Sequence, residues 1–169
     1  MLKDKSSRKQ LYGSRAQAIT EFAIALPILM ALLVGILEVG RMIFIYSAVT
    51  NASREAVRYA SAVGLDDSGS YNKYNYCSGI QEMARRSAYF TPLTVNISYD
   101  KGPGTASYNT CDGTVDSGVV VSSGDRVLVT VSAQYKPMLK LIPLSSRTFT
   151  SSSSRTILGI LELDPCTGC

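Results

Sequence analysis

The sequence predicts an α+β protein in which a long N-terminal helix packs on a small antiparallel β-sheet domain. No side chain from Phe22 to Leu37 is charged, and apolar residues return from Met42 to Tyr46. An apolar run of this length is typical of a helix that spans a membrane. Beyond Pro92, apolar and polar residues alternate, as they do in half-buried strands. The two patterns together predict a membrane helix followed by a sheet domain.

Charge and the pattern of apolar residues divide the 169 residues into four predicted segments. They are a basic leader at 1–16, a transmembrane helix at 17–46, an amphipathic helix extension at 47–64 and an exported α+β domain at 65–169. The leader has one acid, Asp4, against five bases: Lys3, Lys5, Arg8, Lys9 and Arg15. Positive charge beside a membrane helix is retained in the cytoplasm, so the domain after the helix is expected outside. Without apolar periodicity, the leader is not expected to fold by itself.

The long helix is predicted to run from Gln17 to about Val63. Pro27 lies inside it and should bend it, because proline removes one backbone hydrogen bond. Beyond Tyr46 the apolar residues narrow to one stripe at steps of three or four: Val49, Ala52, Ala56, Val57, Ala60 and Val63. Such a stripe is typical of a helix that packs on a domain. Gly64 is the predicted stop.

The exported domain is predicted to hold one short helix, three or four strands and two polar loops. The loops are 65–76 and 100–118, both rich in Gly, Ser and Asn. The helix is expected at Ser78–Tyr89, and the strands at Leu93–Tyr99, Val119–Val121, Arg126–Tyr135 and Arg147–Ile157.

All four cysteines follow the membrane helix, where an oxidising compartment favours disulfides. Four cysteines allow three pairings, although Cys111 in the long loop favours Cys77 as its partner. Cys166 and Cys169 form a terminal C-x-x-C, for which a structural disulfide or clip is favoured over a redox or zinc site. The chain has no histidine, so no metal or cofactor is expected, and an enzyme is the least favoured class.

Charged residues at the ends of the apolar run are the candidate functional residues. A charge deep in a bilayer costs on the order of 3 kcal/mol, so Glu21 needs a partner. One reading leaves Glu21 hydrated at the cytoplasmic interface; the other pairs it with the amine of a new N-terminus on a neighbouring subunit. Glu38 and Arg41 are three residues apart and can form an ion pair on one helix face.

The run from Arg15 to Pro27, RAQAITEFAIALP, closely resembles the start of TadE-like proteins, minor pilins or pseudopilins of the tight-adherence type IV pilus system. The charged clusters around Glu38 and Arg54 are similar too. The resemblance implies a pilin-like architecture and cleavage by a prepilin peptidase. The family pattern has glutamate at the fifth mature position, which sets the cut between Ala16 and Gln17, with alanine where the family has glycine. Cleavage after Gly13 fits this spacing less well.

The resulting prediction is a non-catalytic minor pilin or pseudopilin of the cytoplasmic membrane that takes part in assembly of an adhesive pilus. The implied partners are the peptidase, other pilins of the system, its inner-membrane assembly platform and membrane lipid. Nucleic acid is not expected. The alternative is an unprocessed, signal-anchored binding protein that never polymerises, with Tyr71, Tyr74 and Tyr76 available for contacts in the first loop.

Overall fold

The structure, a computed structural model, describes residues 6–66, 69, 71–88, 91–111, 121–138 and 145–159, with side chains from residue 16. The chain divides into two compact units, residues 1–41 and 42–169. The elements are helices α1 (Ser6–Ser61) and α2 (Cys77–Arg86) and strands β1 (Leu93–Asp100), β2 (Asn109–Thr110), β3 (Arg126–Tyr135) and β4 (Arg147–Thr156). The predicted α+β fold class, a long apolar helix with a small antiparallel sheet, is confirmed.

Helix α1 begins eleven residues before the predicted start at Gln17, so residues 6–16 are helical as a continuation of α1, and whether the leader folds by itself stays a prediction. The leader segment contains the run Arg8-Lys9-Gln10-Leu11, four good helix formers in succession. Extending an existing helix also costs far less than nucleating a new one. The helix continues through Pro27 and stops at Ser61, just before Gly64, whose φ of 116° suits glycine. The bend at Pro27 stays a prediction.

In the first unit, α1 presents its apolar side chains without cover. From Ala16 to Arg41 the side chains are exposed, except that Val34, Gly35 and Arg41 are half-buried and Glu38 is buried. One described helix, within Ala16–Ser61, is long and apolar enough to cross a membrane. This helix is consistent with a single-pass anchor.

In the second unit, the end of α1 packs on the sheet through the predicted stripe. Val49, Ala52, Ala56, Val57 and Ala60 are buried, while Val63 at the end is 49 % exposed. Small residues allow the helix backbone to approach the sheet closely. Ser53 is buried in the same face, and its hydroxyl lies 3.1 Å from Ser151 Oγ and 3.0 Å from Ser153 Oγ on β4. A polar contact therefore joins the helix to the sheet inside an apolar interface.

The sheet is antiparallel with strand order β2-β1-β3-β4. Strand β3 is central, and its inward residues Val127, Val129, Val131, Ala133 and Tyr135 are all buried. Together with Ile97 and Tyr99 of β1 and Ile80 of α2, they form the core. Three of the four predicted strands thus lie where the sequence analysis expected them, with ends that differ by at most one residue.

Three predictions for the domain need correction. Val121 is buried but not in a strand, and Val119 and Val120 lie outside the described residues. Part of the predicted loop 100–118 is instead strand β2, which pairs with Ser98 and Tyr99. Helix α2 ends at Arg86 rather than Tyr89, because the Ala88 amide donates to Arg85 O, three residues back, and the α-helical pattern of bonds to the fourth residue back stops there.

Candidate functional site

Glu21 lies on the exposed surface of α1, one helical turn after Gln17. Gln17 Nε2 donates a hydrogen bond of 3.2 Å to Glu21 Oε1, and Thr20 Oγ1 donates to Gln17 O at 2.7 Å. Residues four apart on a helix meet in this way. A positive group placed at the backbone nitrogen of residue 17 would therefore be one turn from the carboxylate. The chemistry predicted for this position is electrostatic pairing rather than proton transfer.

The predicted cleavage bond, between Ala16 and Gln17, lies inside α1. Both residues are exposed, so no described part of the chain covers them. Nothing in the structure tests whether the bond is cut, and the assignment stays a prediction.

Downstream of Glu21 the helix presents a continuous apolar surface. Phe22, Ile24, Ile28 and Ile36 are all more than 60 % exposed. A soluble monomer rarely leaves so large an apolar surface uncovered, so this surface indicates a lipid or helix partner. The site is therefore one carboxylate at the start of a segment whose apolar surface is suited to contact with lipid or another helix.

Glu38 and Arg41 lie on one face of α1, as their spacing predicts. Arg41 Nη1 is 4.0 Å from Glu38 Oε2. The carboxylate side chain is 8 % exposed and the guanidinium 35 %. A buried carboxylate inside an apolar helix is costly without a cation nearby, and Arg41 supplies one.

Cys77 and Cys111 form a disulfide, the pairing that the sequence favoured, with their Cα atoms 5.9 Å apart. It ties the start of α2 to the end of β2. The core residue Tyr99 lies beside it, with its hydroxyl 3.6 Å from Cys111 Sγ and donating to Tyr74 O. Cys166 and Cys169 lie outside the described residues, so their state stays a prediction.

The loop end of the sheet holds an ionic cluster that sequence reasoning missed. Arg126 donates to both carboxylate oxygens of Asp100, from Nε at 2.8 Å and Nη2 at 2.7 Å, and Gly102 N donates at 3.0 Å. The hydrogen bonds from Arg126 hold the pKa of the Asp100 carboxyl below its usual range. The signal was available: Asp100 directly follows one predicted strand and Arg126 begins another, so antiparallel pairing places them opposite each other.

A second pair stands beside this cluster. Tyr108 Oη donates to Asp125 Oδ2 at 2.7 Å, and Ser122 N donates to the same oxygen at 2.8 Å. The Ser122 amide, followed by Tyr108, lowers the pKa of Asp125. Partial burial, followed by the bond to Asp125, raises the pKa of Tyr108 to about 12. The carboxyls stay charged and the tyrosine stays neutral at ordinary pH, so the loop is held by fixed hydrogen bonds.

These perturbed groups are poorly suited to acid–base catalysis. A catalytic acid or base works best with a pKa near neutrality, but the shifts lower the carboxyl pKa values and raise those of Tyr99, Tyr108 and Arg126. Within the described residues, no group of three His, Cys, Asp or Glu side chains could hold a metal. The arrangement supports binding and structural roles.

The predicted tyrosine loop contributes less surface than expected. Tyr74 and Tyr76 are half-buried; Tyr74 accepts a hydrogen bond of 2.9 Å from Asn72 Nδ2. Tyr71 is 46 % exposed, and its amide donates to the buried Asp66 carboxylate. A loop surface made of Val63, Leu65 and Tyr71 stays exposed.

These features define a class: an α+β protein with one N-terminal apolar helix, consistent with a membrane anchor, and a small disulfide-linked sheet domain. Residues 16–58 match the family model described as TadE-like protein. The resemblance predicted from the sequence is therefore confirmed over the helix from Ala16 to Arg58. The match suggests a protein associated with the tight-adherence pilus, with other pilus components as partners, and a family that is generally non-catalytic.

No curated protein and no solved structure matched the chain in the corresponding comparisons. The family match ends at residue 58, so the sheet lies outside it and its role is argued from its own residues.

Proposed function

We propose that the chain is a minor pilin or pseudopilin that takes part in assembly of a tight-adherence type IV pilus. A prepilin peptidase cuts between Ala16 and Gln17. The remaining helix anchors the subunit in the cytoplasmic membrane, with the leader on the cytoplasmic side and the sheet domain outside. The partners are other pilins of the same system and its inner-membrane assembly platform. No catalytic step by the chain itself is required.

The observation that carries this proposal is the order of three features along the first part of α1: Gln17, Glu21 and then the uncovered apolar surface. Glu21 precedes an uncovered apolar surface and lies one turn from Gln17, where cleavage would create an amine. In lipid, a lone carboxylate is costly, and an amine on an adjacent subunit offsets that cost. Pairing between subunits would thus favour one axial offset between packed helices. The family match over residues 16–58 supports the same function.

The experiment that tests this function measures both cleavage of the leader and the amount of pilus assembled. The mature N-terminus is measured by mass spectrometry of protein from cells with and without the peptidase. A start at Gln17 that requires the peptidase is expected. Glu21→Ala should leave membrane insertion intact, since it removes a charge, and lower the pilus recovered from cells by at least roughly tenfold.

Glu55→Ala is the matched control, because it removes another exposed carboxylate from the same helix. Glu55 pairs with Arg58 at 3.4 Å within the second unit, so its loss should leave assembly near the wild-type level. Equal assembly by Glu21→Ala and the wild type would contradict the pairing. An intact leader in both strains would contradict processing.

A second candidate is a signal-anchored binding protein that does not polymerise. The exposed loop surface of Val63, Leu65 and Tyr71 favours it, because apolar and aromatic side chains on a stable loop are typical of contact surfaces. An uncut chain that stays monomeric in detergent is the result expected for this candidate.

A further inference from the structure

A cleft of about 240 Å³ lies in the second unit, between α1 and the end of α2. From α1 it takes residues 44, 47, 48 and 51, which share one helix face because they are spaced by three, four and seven. Besides two alanines, the cleft is lined by Phe44, Ser47, Asn51, Arg86, Ser87 and Thr91. The lining is thus mixed: Phe44 and the two alanines are apolar, and the other residues carry polar groups.

The polar lining is suited to an anion. Ser47, Asn51 and Thr91 can each donate a hydrogen bond, and Arg86 is the one charged residue among those that line the cleft. Ser87 is already engaged, since its hydroxyl donates to Met83 O at 3.1 Å. The Arg86 side chain is 67 % exposed and its Nε is paired with Glu82, but a guanidinium beside neutral donors can still recognise phosphate oxygens through its Nη groups.

Arg86 keeps donors available for such a ligand. Its Nε donates to Glu82 Oε1 at 3.0 Å, and Glu82 does not line the cleft. Within the described part of the chain, neither Nη nitrogen of Arg86 has a hydrogen-bond partner. The carbonyls at this end of α2 are partly satisfied, because Met83 O accepts from Ser87 and Arg85 O accepts from Ala88 N. These hydrogen-bonded carbonyl oxygens therefore repel an anion less than carbonyl oxygens without a donor would.

The position of the cleft along α1 indicates where the anion comes from. The predicted transmembrane segment ends at residue 46, and the cleft begins at Phe44. Aromatic side chains concentrate at the level of lipid headgroups. Tyr46 also stacks edge-on against Phe149, with ring centroids 6.1 Å apart. Phe44 on one side of α1 and the Tyr46–Phe149 pair on another thus place aromatic side chains at the level where the helix should leave the bilayer.

We propose that this cleft binds the phosphate of a phospholipid headgroup, with Arg86 as the cation and Phe44 against the glycerol and upper acyl chain. The inference rests on the proposed membrane anchoring. The site would fix the depth of the domain at the outer surface of the membrane. Free phosphate would share the chemistry of the polar side but make no use of Phe44.

The test uses the full-length protein in mild detergent, titrated with phosphatidylglycerol and observed by native mass spectrometry. Arg86→Gln should weaken lipid retention by roughly tenfold, because it removes charge-assisted hydrogen bonds to the phosphate. Arg85→Gln is the matched control: it removes the same charge from the adjacent residue, which is exposed and does not line the cleft. Asn51→Ala should weaken retention less than Arg86→Gln and more than Arg85→Gln.

Several results would overturn the proposal. Equal loss in the two arginine variants would mean that lipid responds only to overall charge. No loss in either variant would mean that the cleft does not bind the headgroup. Displacement of the lipid by inorganic phosphate at comparable concentration would assign the site to free phosphate. Thermal unfolding of each variant controls for misfolding. Cleavage at Gln17 does not involve Arg86, so failure of this proposal and failure of the pilin function are distinguishable.

Discussion

Two regions of helix α1 differ in whether the chain itself buries their apolar side chains. Before residue 42, α1 carries large side chains such as Phe22 and Ile36 that stay exposed. After residue 42 it carries Val49, Ala52 and Ala56, which are buried against the chain's own sheet. The first region needs lipid or another protein to cover its apolar side chains, whereas the second is covered by the sheet of the same chain. Stability of the domain should therefore depend on the second region alone, while anchoring and assembly depend on the first.

The disulfide offers the strongest test of this separation. Replacing both Cys77 and Cys111 by Ser releases a link across 34 residues, which should lower the domain's unfolding free energy by about 3–4 kcal/mol. Membrane insertion should be unchanged, because the first region contains no part of the link. The measurement is thermal unfolding of the full chain in detergent, alongside membrane fractionation.

Cys166→Ser with Cys169→Ser is the control for that experiment. These cysteines are three residues apart, so a bond between them restrains little of the unfolded chain and its loss should leave the unfolding midpoint nearly unchanged. An equal drop in the two double variants would contradict the role given to the Cys77–Cys111 link.

The same substitution made in both regions sharpens the comparison further. Ala56 is 0 % exposed between helix and sheet, so Ala56→Leu overpacks the interface and should cost about 1–3 kcal/mol of unfolding free energy. Ala31 is exposed on the apolar surface, and Ala31→Leu should change unfolding by less than about 0.5 kcal/mol. Chemical denaturation of both variants checks this. A larger effect at Ala31 would mean that the first region is packed against protein.

Two acid–base pairs of the second unit, one buried and one exposed, should respond differently to pH. In the domain, Asp100 has a pKa below the ordinary 3.8 because Arg126 stabilises its charge. Such a group adds stability above the unfolded pKa and loses it as pH falls through the folded pKa. The unfolding temperature of the wild type should therefore exceed that of Asp100→Asn at about pH 7, and the difference should shrink toward about pH 3.

The exposed pair Glu55–Arg58 supplies the control for the pH series. Surface pairs contribute little, so Glu55→Gln should leave the unfolding temperature close to that of the wild type throughout. If Asp100→Asn differed equally from the wild type at both pH values, its effect would be a packing defect rather than a charge effect.

Much of the fold could be predicted because its elements carry strong periods. Strands β1 and β3 alternate over eight or more residues, and the alanine stripe of α1 recurs at helical spacing, whereas β4 has one large apolar residue, Phe149. Strand β2 was missed because two residues have no period and are held by pairing with Ser98 and Tyr99. The start of α1 was missed because helix extension into the leader depends on propensity and continuity rather than on an apolar pattern.

The candidate sites divide in the same way. Glu21 could be identified because one carboxylate before an apolar run has a visible energetic cost. The cleft at Arg86 could not, since its two sides come from residues 44–51 and 86–91, which only tertiary packing brings together. Ser53 was also missed: a serine within an alanine stripe gives no signal until Ser151 and Ser153 on β4 are known to face it.

Strand β4 has a consequence for molecules crowded in one bilayer. It is an edge strand of the described sheet, and its sequence, RTFTSSSSRT, is nearly all hydroxyl side chains between two arginines. Edge strands invite pairing with another copy, and polar, charged edges discourage it. Serine also has less tendency than valine or isoleucine to stack in fibrils. Under the proposed function, neighbouring copies are therefore expected to associate through their helices, while the polar edge of β4 disfavours pairing between their sheets.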